Sequence, residues 1–191
     1  MGSKAYAIGP IPYRAGEESL NINVTYQGKQ TAFEVPFSAP YQAVNAALAI
    51  KALEVSGLLL DAKTVQRGIR SMHWPARMEQ ILPGVYLDGA HNEDGIRAFL
   101  TAACLLKERK KPKETRILFS VASDKDYKSM LQEIGERLEP EVCILTGMDN
   151  HRVLPMAELY EAAGAAFKTG TRIQCCQTVK EALVPFLEGH E

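Results

Sequence analysis

The sequence predicts an α/β protein with a Rossmann-like, mostly parallel sheet that carries helices on both faces, preceded by a partial β/α piece. After residue 74, unbroken apolar strands alternate with amphipathic helices, which is typical of a parallel sheet covered on both sides. Before that point, apolar and polar residues alternate, as they do in half-buried antiparallel strands. With 191 residues, 46% of them hydrophobic, the chain can form one full domain and part of another.

The first 72 residues are predicted to form a β-hairpin followed by two helices. The alternating segments are 19–26 and 31–37, with a turn at 27–30. Pro40 precedes a predicted helix at 41–55, which Ser56-Gly57 closes, and Asp61 is a suitable N-cap for a second helix that extends to about residue 72. We expect residues 1–72 to form one domain and residues 73–191 another.

In the second part, four predicted strands are each followed by a helix. The expected strands are 85–87, 116–121, 142–146 and 172–176, and the expected helices are 92–108, 127–138, 155–167 and 178–187. Since crossovers are right-handed and ligands bind beyond the carboxyl ends of parallel strands, the polar turns after the first three strands should meet at one edge. These turns are 88–92, 122–126 and 147–152.

Composition excludes several classes of partner. The formal net charge of -1 gives no electrostatic reason for binding nucleic acid or an anionic membrane. No apolar run reaches the length of a membrane span and no signal peptide opens the chain, so we expect a cytoplasmic protein. The four cysteines lack metal-ligand spacing and are interpreted as buried thiols.

Four polar groups could carry chemistry, and each has two interpretations on its residues alone. Asp88 could accept hydrogen bonds from ribose hydroxyls, or it could only satisfy backbone amides near Asn92, a suitable helix cap. His91 could bind a ligand or face solvent. Arg77 could contact phosphate oxygens or be solvated. Lys125, between two aspartates, could bind a carboxylate or belong to a self-neutralising turn.

Common catalytic motifs are missing from these 191 residues. The sequence has no G-x-x-x-x-G-K-[ST] phosphate loop, no G-x-G-x-x-G, no G-x-S-x-G and no H-E-x-x-H. From the residues alone we therefore predict neither a nucleophile–base pair nor a metal site.

Taken together, the motifs resemble those of the folylpolyglutamate/dihydrofolate synthase family of Mur-type ligases, in their C-terminal segment. The matching blocks, in chain order, are Y-Q-A-V-N-A-A-L-A from residue 41, W-P-A-R-M-E from residue 74, L-D-G-A-H-N from residue 87 and S-D-K-D from residue 123. The family's reaction phosphorylates a folate or dihydropteroate carboxylate with ATP, and L-glutamate then attacks the acyl phosphate.

The resemblance also implies roles for individual residues. Asn45, Arg77 and Asp88 match nucleotide-binding positions, His91 matches a position that handles glutamate, and Lys125 is expected at a substrate carboxylate. The phosphate loop and the Mg²⁺ ligands of the family lie in a larger N-terminal portion, which makes the rest of the parent chain an expected partner. We therefore expect this segment to be inactive alone.

The chain departs from the family pattern in two places. Pro75-Ala76-Arg77 stands where the family usually has Pro-Gly-Arg, and alanine lacks the easy positive φ of glycine. We also expect the sequence to end before a final strand that the family usually adds. Two other interpretations remain open, namely a stand-alone binding or regulatory module without catalysis and a fragment of a cell-wall Mur ligase.

Overall fold

A computed structural model describes residues 8–16, 19–36, 39–148 and 152–188. The chain forms two compact units, Met1–Gly89 and Ala90–Glu191. Among the described residues, no helix has both the length and the apolar character needed to cross a membrane. The predicted domain boundary after residue 72 stays a prediction.

The first unit begins with a three-stranded antiparallel sheet. Its strands are β1 (Tyr13–Ala15), β2 (Leu20–Tyr26) and β3 (Lys29–Val35), in that order. Gln27 and Gly28 form the turn between β2 and β3, with φ angles of 48° and 74°. Two consecutive positive φ angles are typical of the tight type I′ hairpin turn, so β3 starts two residues earlier than predicted.

Two helices cover this sheet. Helix α1 (Tyr41–Val55) buries Ala43, Ala46, Ala47 and Ile50 in a core that includes Leu20, Ile22 and Phe33 of the strands. The same helix leaves Val44, Leu48 and Val55 exposed, so it is apolar on two faces. Helix α2 (Ala62–Arg70) begins at the predicted N-cap, where the Asp61 side chain accepts a hydrogen bond from the Thr64 amide.

A short hairpin completes the first unit. Strands β4 (Glu79–Leu82) and β5 (Val85–Leu87) pair antiparallel with each other. The expectation that residues 85–87 belong to the parallel sheet is therefore wrong. Strand β4 was not predicted, because its four residues show no clear alternation and three of them are exposed.

The second unit contains the parallel sheet. Its elements are α3 (Glu93–Lys110), β6 (Arg116–Phe119), α4 (Tyr127–Arg137), β7 (Val142–Thr146), α5 (Met156–Ala166), β8 (Arg172–Cys176) and α6 (Val179–Leu187). The three strands are parallel in the order β6-β7-β8. All five residues of β7 are buried, as expected for a central strand covered on both faces.

Helices lie on both faces of this sheet, as predicted. Helices α3, α4 and α5 enclose one core with residues such as Leu100, Ile134 and Leu159. Helix α6 covers the other face, where Ala182 packs with Val142 and Ile144. The carboxyl ends of β6 and β7 both lead into polar turns, which is where this unit could hold a ligand.

All four cysteines are free thiols. Cys143 is buried, and burial raises the pKa of its thiol to about 12. Cys104 and Cys176 are half-buried and Cys175 is exposed on β8, so the prediction that the thiols are buried is confirmed for Cys143 and wrong for Cys175.

Candidate nucleotide-contacting site and strand-end turns

Asp88 follows the last residue of β5 and is the centre of the candidate site in the first unit. Its Oδ2 atom accepts a hydrogen bond from the backbone amide of Met78 at 2.8 Å. The same oxygen accepts a second one from the Tyr41 hydroxyl at 3.2 Å. Asp88 therefore does satisfy a backbone amide, as one of its two interpretations proposed. This contact joins the end of β5 to the loop that precedes β4.

That loop holds Arg77 between two residues in the left-handed region. Ala76 has a φ of 54° and Met78 a φ of 50°. Such angles cost a non-glycine residue about 1 kcal/mol or more, so other contacts must hold the loop in place. The departure from Pro-Gly-Arg thus places alanine at a position with the backbone angle that glycine adopts easily.

Glu79 is one of the residues that hold the Arg77 loop. Its Oε2 atom accepts the backbone amide of Ala76 at 2.8 Å, and its Oε1 atom lies 3.5 Å from Nε2 of His73. The carboxylate therefore bridges the start of β4 and the turn before Arg77. This contact explains why an acid stands at the end of the W-P-A-R-M-E block.

Gly89 closes the loop from the other side. Its backbone amide donates to the Ala76 carbonyl at 2.9 Å. A Cβ built on Gly89 would lie 3.1 Å from Nη1 of Arg77, closer than ordinary van der Waals contact. The missing side chain leaves room for the guanidinium, so the structure brings Arg77 to the residue that follows Asp88.

Tyr41 shares the electrostatic environment of these two charged residues. Burial raises the pKa of its phenol well above the ordinary value, and the negative charge and hydrogen bond of Asp88 raise it further, while Arg77 lowers it. The hydroxyl therefore stays protonated and donates to the carboxylate. Sequence reasoning missed Tyr41 as a site residue. The available signal was its position four residues before Asn45, which puts both on one helix face.

Asn45 lies on α1, one turn after Tyr41, and is exposed. Its Nδ2 atom donates to Oε1 of Gln42 at 2.9 Å. Gln42 is only 5% exposed, which is unusual for a glutamine and gives the Asn45 amide a defined neighbour. Asn45, Tyr41, Arg77 and Asp88 all belong to the unit Met1–Gly89.

His91 and Lys125 belong to the second unit, Ala90–Glu191. His91 is exposed in the turn before α3, and the following residue, Asn92, caps that helix by accepting the Gly95 amide at 2.8 Å. Asn92 is thus confirmed as the predicted helix cap. His91 reaches the surface at the N-terminus of an 18-residue helix, a position that favours negatively charged groups.

Lys125 lies in the turn after β6, where two cations share one carboxylate. Oδ2 of Asp124 is 3.5 Å from the Lys125 Nζ and 3.6 Å from the Arg152 Nη1. Burial raises the pKa of Asp124, but a backbone hydrogen bond and the charges of both cations outweigh it and hold that pKa below its usual value. Asp126, the other acid of the motif, caps α4 through the Ser129 amide.

The third predicted strand-end turn, at 147–152, is described only in part, because residues 149–151 lie outside the described residues. Arg152 at its end accepts the Ser123 amide on its carbonyl oxygen at 2.9 Å, which ties it to the Lys125 turn. The turns after β6 and β7 therefore do meet, as expected for adjacent parallel strands. Among the described residues, no group of three or more His, Cys, Asp or Glu side chains could hold a metal ion.

The class of protein follows from a comparison of this sequence with known families. The sequence profile of the family "Mur ligase, glutamate ligase domain" matches residues 76–188. The chain belongs to this family.

Within that family, the chain is similar to folylpolyglutamate synthases, which confirms the resemblance inferred from the motifs. It is 34% identical to folylpolyglutamate synthase from Lacticaseibacillus casei over 113 residues, 56% of this chain and 26% of the relative. It is 33% identical to dihydrofolate synthase/folylpolyglutamate synthase from Bacillus subtilis over 100 residues, 49% of this chain and 23% of the relative. The matched regions thus span about a quarter of each relative.

A solved structure shows the same fold. Folylpolyglutamate synthase from Mycobacterium tuberculosis, complexed with ADP, superimposes with a TM-score of 0.79 at 22% identity. The superposition covers 91% of this chain and 38% of that protein. The predicted fold class is therefore confirmed.

Proposed function

We propose that these residues are part of an ATP-dependent ligase that adds L-glutamate to a folate or dihydropteroate carboxylate. The observation that carries the proposal is the cluster of Tyr41, Arg77 and Asp88 in a chain of the glutamate ligase domain family. The guanidinium of Arg77 approaches Gly89, the residue after Asp88, and a guanidinium and a carboxylate suit the phosphates and the ribose hydroxyls of a nucleotide.

The proposed reaction has two steps. The folate carboxylate first attacks the γ-phosphorus of ATP, which forms an acyl phosphate and releases ADP. The glutamate amine then attacks the acyl carbon, which forms the amide and releases phosphate. Both steps need charge neutralisation around the phosphoryl group and close positioning of the reacting groups.

Each candidate residue has a role in this scheme. Arg77 contacts phosphate oxygens, Asp88 accepts hydrogen bonds from the nucleotide, and Asn45 contacts the nucleotide from α1. His91 and Lys125 act on the glutamate side, where Lys125 pairs with a substrate carboxylate. Mg²⁺, which residues of the larger parent protein would bind, would supply further positive charge for the phosphoryl transfer.

The proposal also covers domain organisation and location. Residues 1–72 would belong to a central ATP-binding domain, and residues 73–191 to the glutamate ligase domain. The remainder of the parent chain is then the main partner. The reaction takes place in the cytoplasm. The 191 residues alone lack a phosphate loop, so the isolated chain is expected to be inactive.

Glutamate incorporation by the full-length protein tests the reaction. Purified full-length protein with ATP, radiolabelled glutamate and either dihydropteroate or a reduced folate should give a labelled amide product and ADP. Activity only with a muramyl-peptide substrate would assign the chain to a cell-wall ligase. Nucleotide binding without any turnover would support the binding module instead, and ligation by the 191 residues alone would contradict the predicted inactivity.

Substitution of Asp88 tests the site. Asp88→Ala in the full-length protein should weaken ADP binding by calorimetry roughly tenfold or more, as expected for hydrogen bonds to a charged group. Asp61→Ala is the matched control, because Asp61 also accepts a backbone amide, at 2.7 Å from Thr64, but only caps α2. Equal ADP affinity in both variants would exclude Asp88 from the nucleotide site.

A further inference from the structure

One carboxylate oxygen joins three segments of the first unit. Oδ2 of Asp88 accepts the Tyr41 hydroxyl from α1 and the Met78 amide from the Arg77 loop, while Asp88 itself follows β5. These segments carry the three residues proposed to contact the nucleotide, namely Asn45, Arg77 and Asp88. This oxygen is therefore one of the contacts that fix their relative positions.

The Tyr41 hydroxyl is one of the groups that orient that carboxylate. A carboxyl group rotates readily about its last side-chain torsion unless its oxygens are held by donors. The Met78 amide alone could be reached by either oxygen after a rotation. A donor from a different element restricts this rotation, and the phenol provides such a donor from a half-buried position at the first residue of α1.

The same hydroxyl also connects α1 to the strained Arg77 loop. Met78 is 5% exposed and has a φ of 50°, so its amide points to Asp88 only while the loop keeps its left-handed residues. Asn45 lies one turn from Tyr41 on α1. A movement of the phenol would therefore shift Asn45 relative to Arg77, across the space between α1 and the β4–β5 hairpin.

We propose that Tyr41 is a positioning residue of the nucleotide site, which acts through Asp88 and need not touch the nucleotide itself. This inference rests on the proposed function. The inference goes beyond the proposed function because it assigns a role to a residue that the family motifs do not include. It also predicts that Asn45, Arg77 and Asp88 respond together when one hydrogen bond is removed.

Tyr41→Phe in the full-length protein tests the inference, since it removes only the hydroxyl. We expect ADP binding to weaken roughly tenfold, the size of effect for a hydrogen bond to a charged group. The KM for ATP should rise in parallel. The KM for glutamate should stay within about twofold of that of the original protein, which is the size of effect expected of a substitution that does not touch the site measured. Unchanged ADP affinity in a folded Tyr41→Phe variant would overturn the inference.

Tyr26→Phe is the matched control. Tyr26 is buried, and its hydroxyl also donates a hydrogen bond, at 2.7 Å, but to the Leu60 carbonyl rather than to Asp88. Both variants lose one phenol hydrogen bond and should lose a similar amount of stability. Only Tyr41→Phe should change nucleotide affinity, so an equal loss of affinity in Tyr26→Phe would point to general destabilisation and contradict a positioning role.

A double-mutant cycle with Asp88→Ala separates this inference from the proposed function. If Tyr41 acts through Asp88, the double variant should bind ADP no more weakly than Asp88→Ala alone. Additive losses would show that Tyr41 acts independently and would overturn the inference while leaving Asp88 in the site. If Asp88→Ala binds ADP normally, the proposed nucleotide site itself fails, and a positioning role for Tyr41 fails with it.

Discussion

A Cβ atom on Gly135 would lie 2.3 Å from the carbonyl oxygen of Ala166, so α4 and α5 approach each other at a point that only glycine permits. The ring of Phe167 would be only 2.9 Å away on the same side. The backbone oxygen cannot move aside as a flexible side chain could. Gly135 is therefore required by packing, although it lies inside a helix where glycine is otherwise unfavourable.

Gly135→Ala should consequently destabilise the protein. We expect the free energy of unfolding to fall by about 2–3 kcal/mol, the cost of overpacking a rigid contact. Gly164→Ala on α5 is the control, because a Cβ there would meet nothing within 4 Å. It should leave stability unchanged or raise it by up to about 1 kcal/mol through helix propensity. Equal urea midpoints for the two variants would contradict the close approach.

Ala76→Gly should stabilise the Arg77 loop slightly. Glycine removes a left-handed strain of about 1 kcal/mol, and part of that gain is lost because glycine has more freedom in the unfolded chain. A net gain of about 0.5 kcal/mol in urea unfolding is expected. Gly28→Ala provides the opposite test, since Gly28 has a φ of 74° and open space around it. This variant should unfold with a free energy about 1 kcal/mol lower. Changes of the same sign would refute this account.

Asn92→Ala should shorten or destabilise α3. The Asn92 side chain accepts the Gly95 amide, and loss of such a cap costs about 1 kcal/mol. Asn92→Asp keeps the acceptor and adds a charge that the helix N-terminus favours, so its stability should equal or exceed that of the original protein. Thermal unfolding of both variants measures the difference, and an equal loss in both would exclude the capping role.

Tyr41 should contribute to stability in a pH-dependent way. Its folded pKa lies above the ordinary value of 10.0 because of burial and of Asp88, so the unfolded chain loses this proton first as the pH rises. The folded state then binds more protons than the unfolded state, so stability falls as the pH rises above the ordinary pKa of the phenol. The difference in unfolding free energy between the original protein and Tyr41→Phe should therefore shrink between about pH 10 and pH 12. A constant difference across this range would contradict it.

Local signals explain why most helices and strands could be predicted. The predicted caps Asp61 and Asn92 each mark a helix start, and each accepts a backbone amide as expected. The strands β7 and β8 have the predicted bounds because short apolar runs are followed by clear turns. These features depend on neighbours in the chain, which a sequence displays directly.

Long-range pairing explains what the sequence could not predict. Residues 85–87 are apolar enough for a parallel strand, but their partner is the adjacent β4, and sequence periodicity does not identify a partner. The Tyr41–Asp88 hydrogen bond spans 47 positions. Asp88 and Arg77 could be selected by motif, whereas the phenol between α1 and β5 becomes visible only when the chain is folded.

The outward-facing side chains of α1 affect how these residues behave in solution. Val44, Leu48 and Val55 recur at helical spacing, so they form an exposed apolar stripe along one side of the helix. Burial of apolar surface is favourable by about 25 cal/mol per Å², so association of two copies through this stripe should increase with protein concentration. The sedimentation coefficient of the 191-residue chain should accordingly increase with protein concentration. Leu48→Lys should restore a single boundary with the sedimentation coefficient of the monomer.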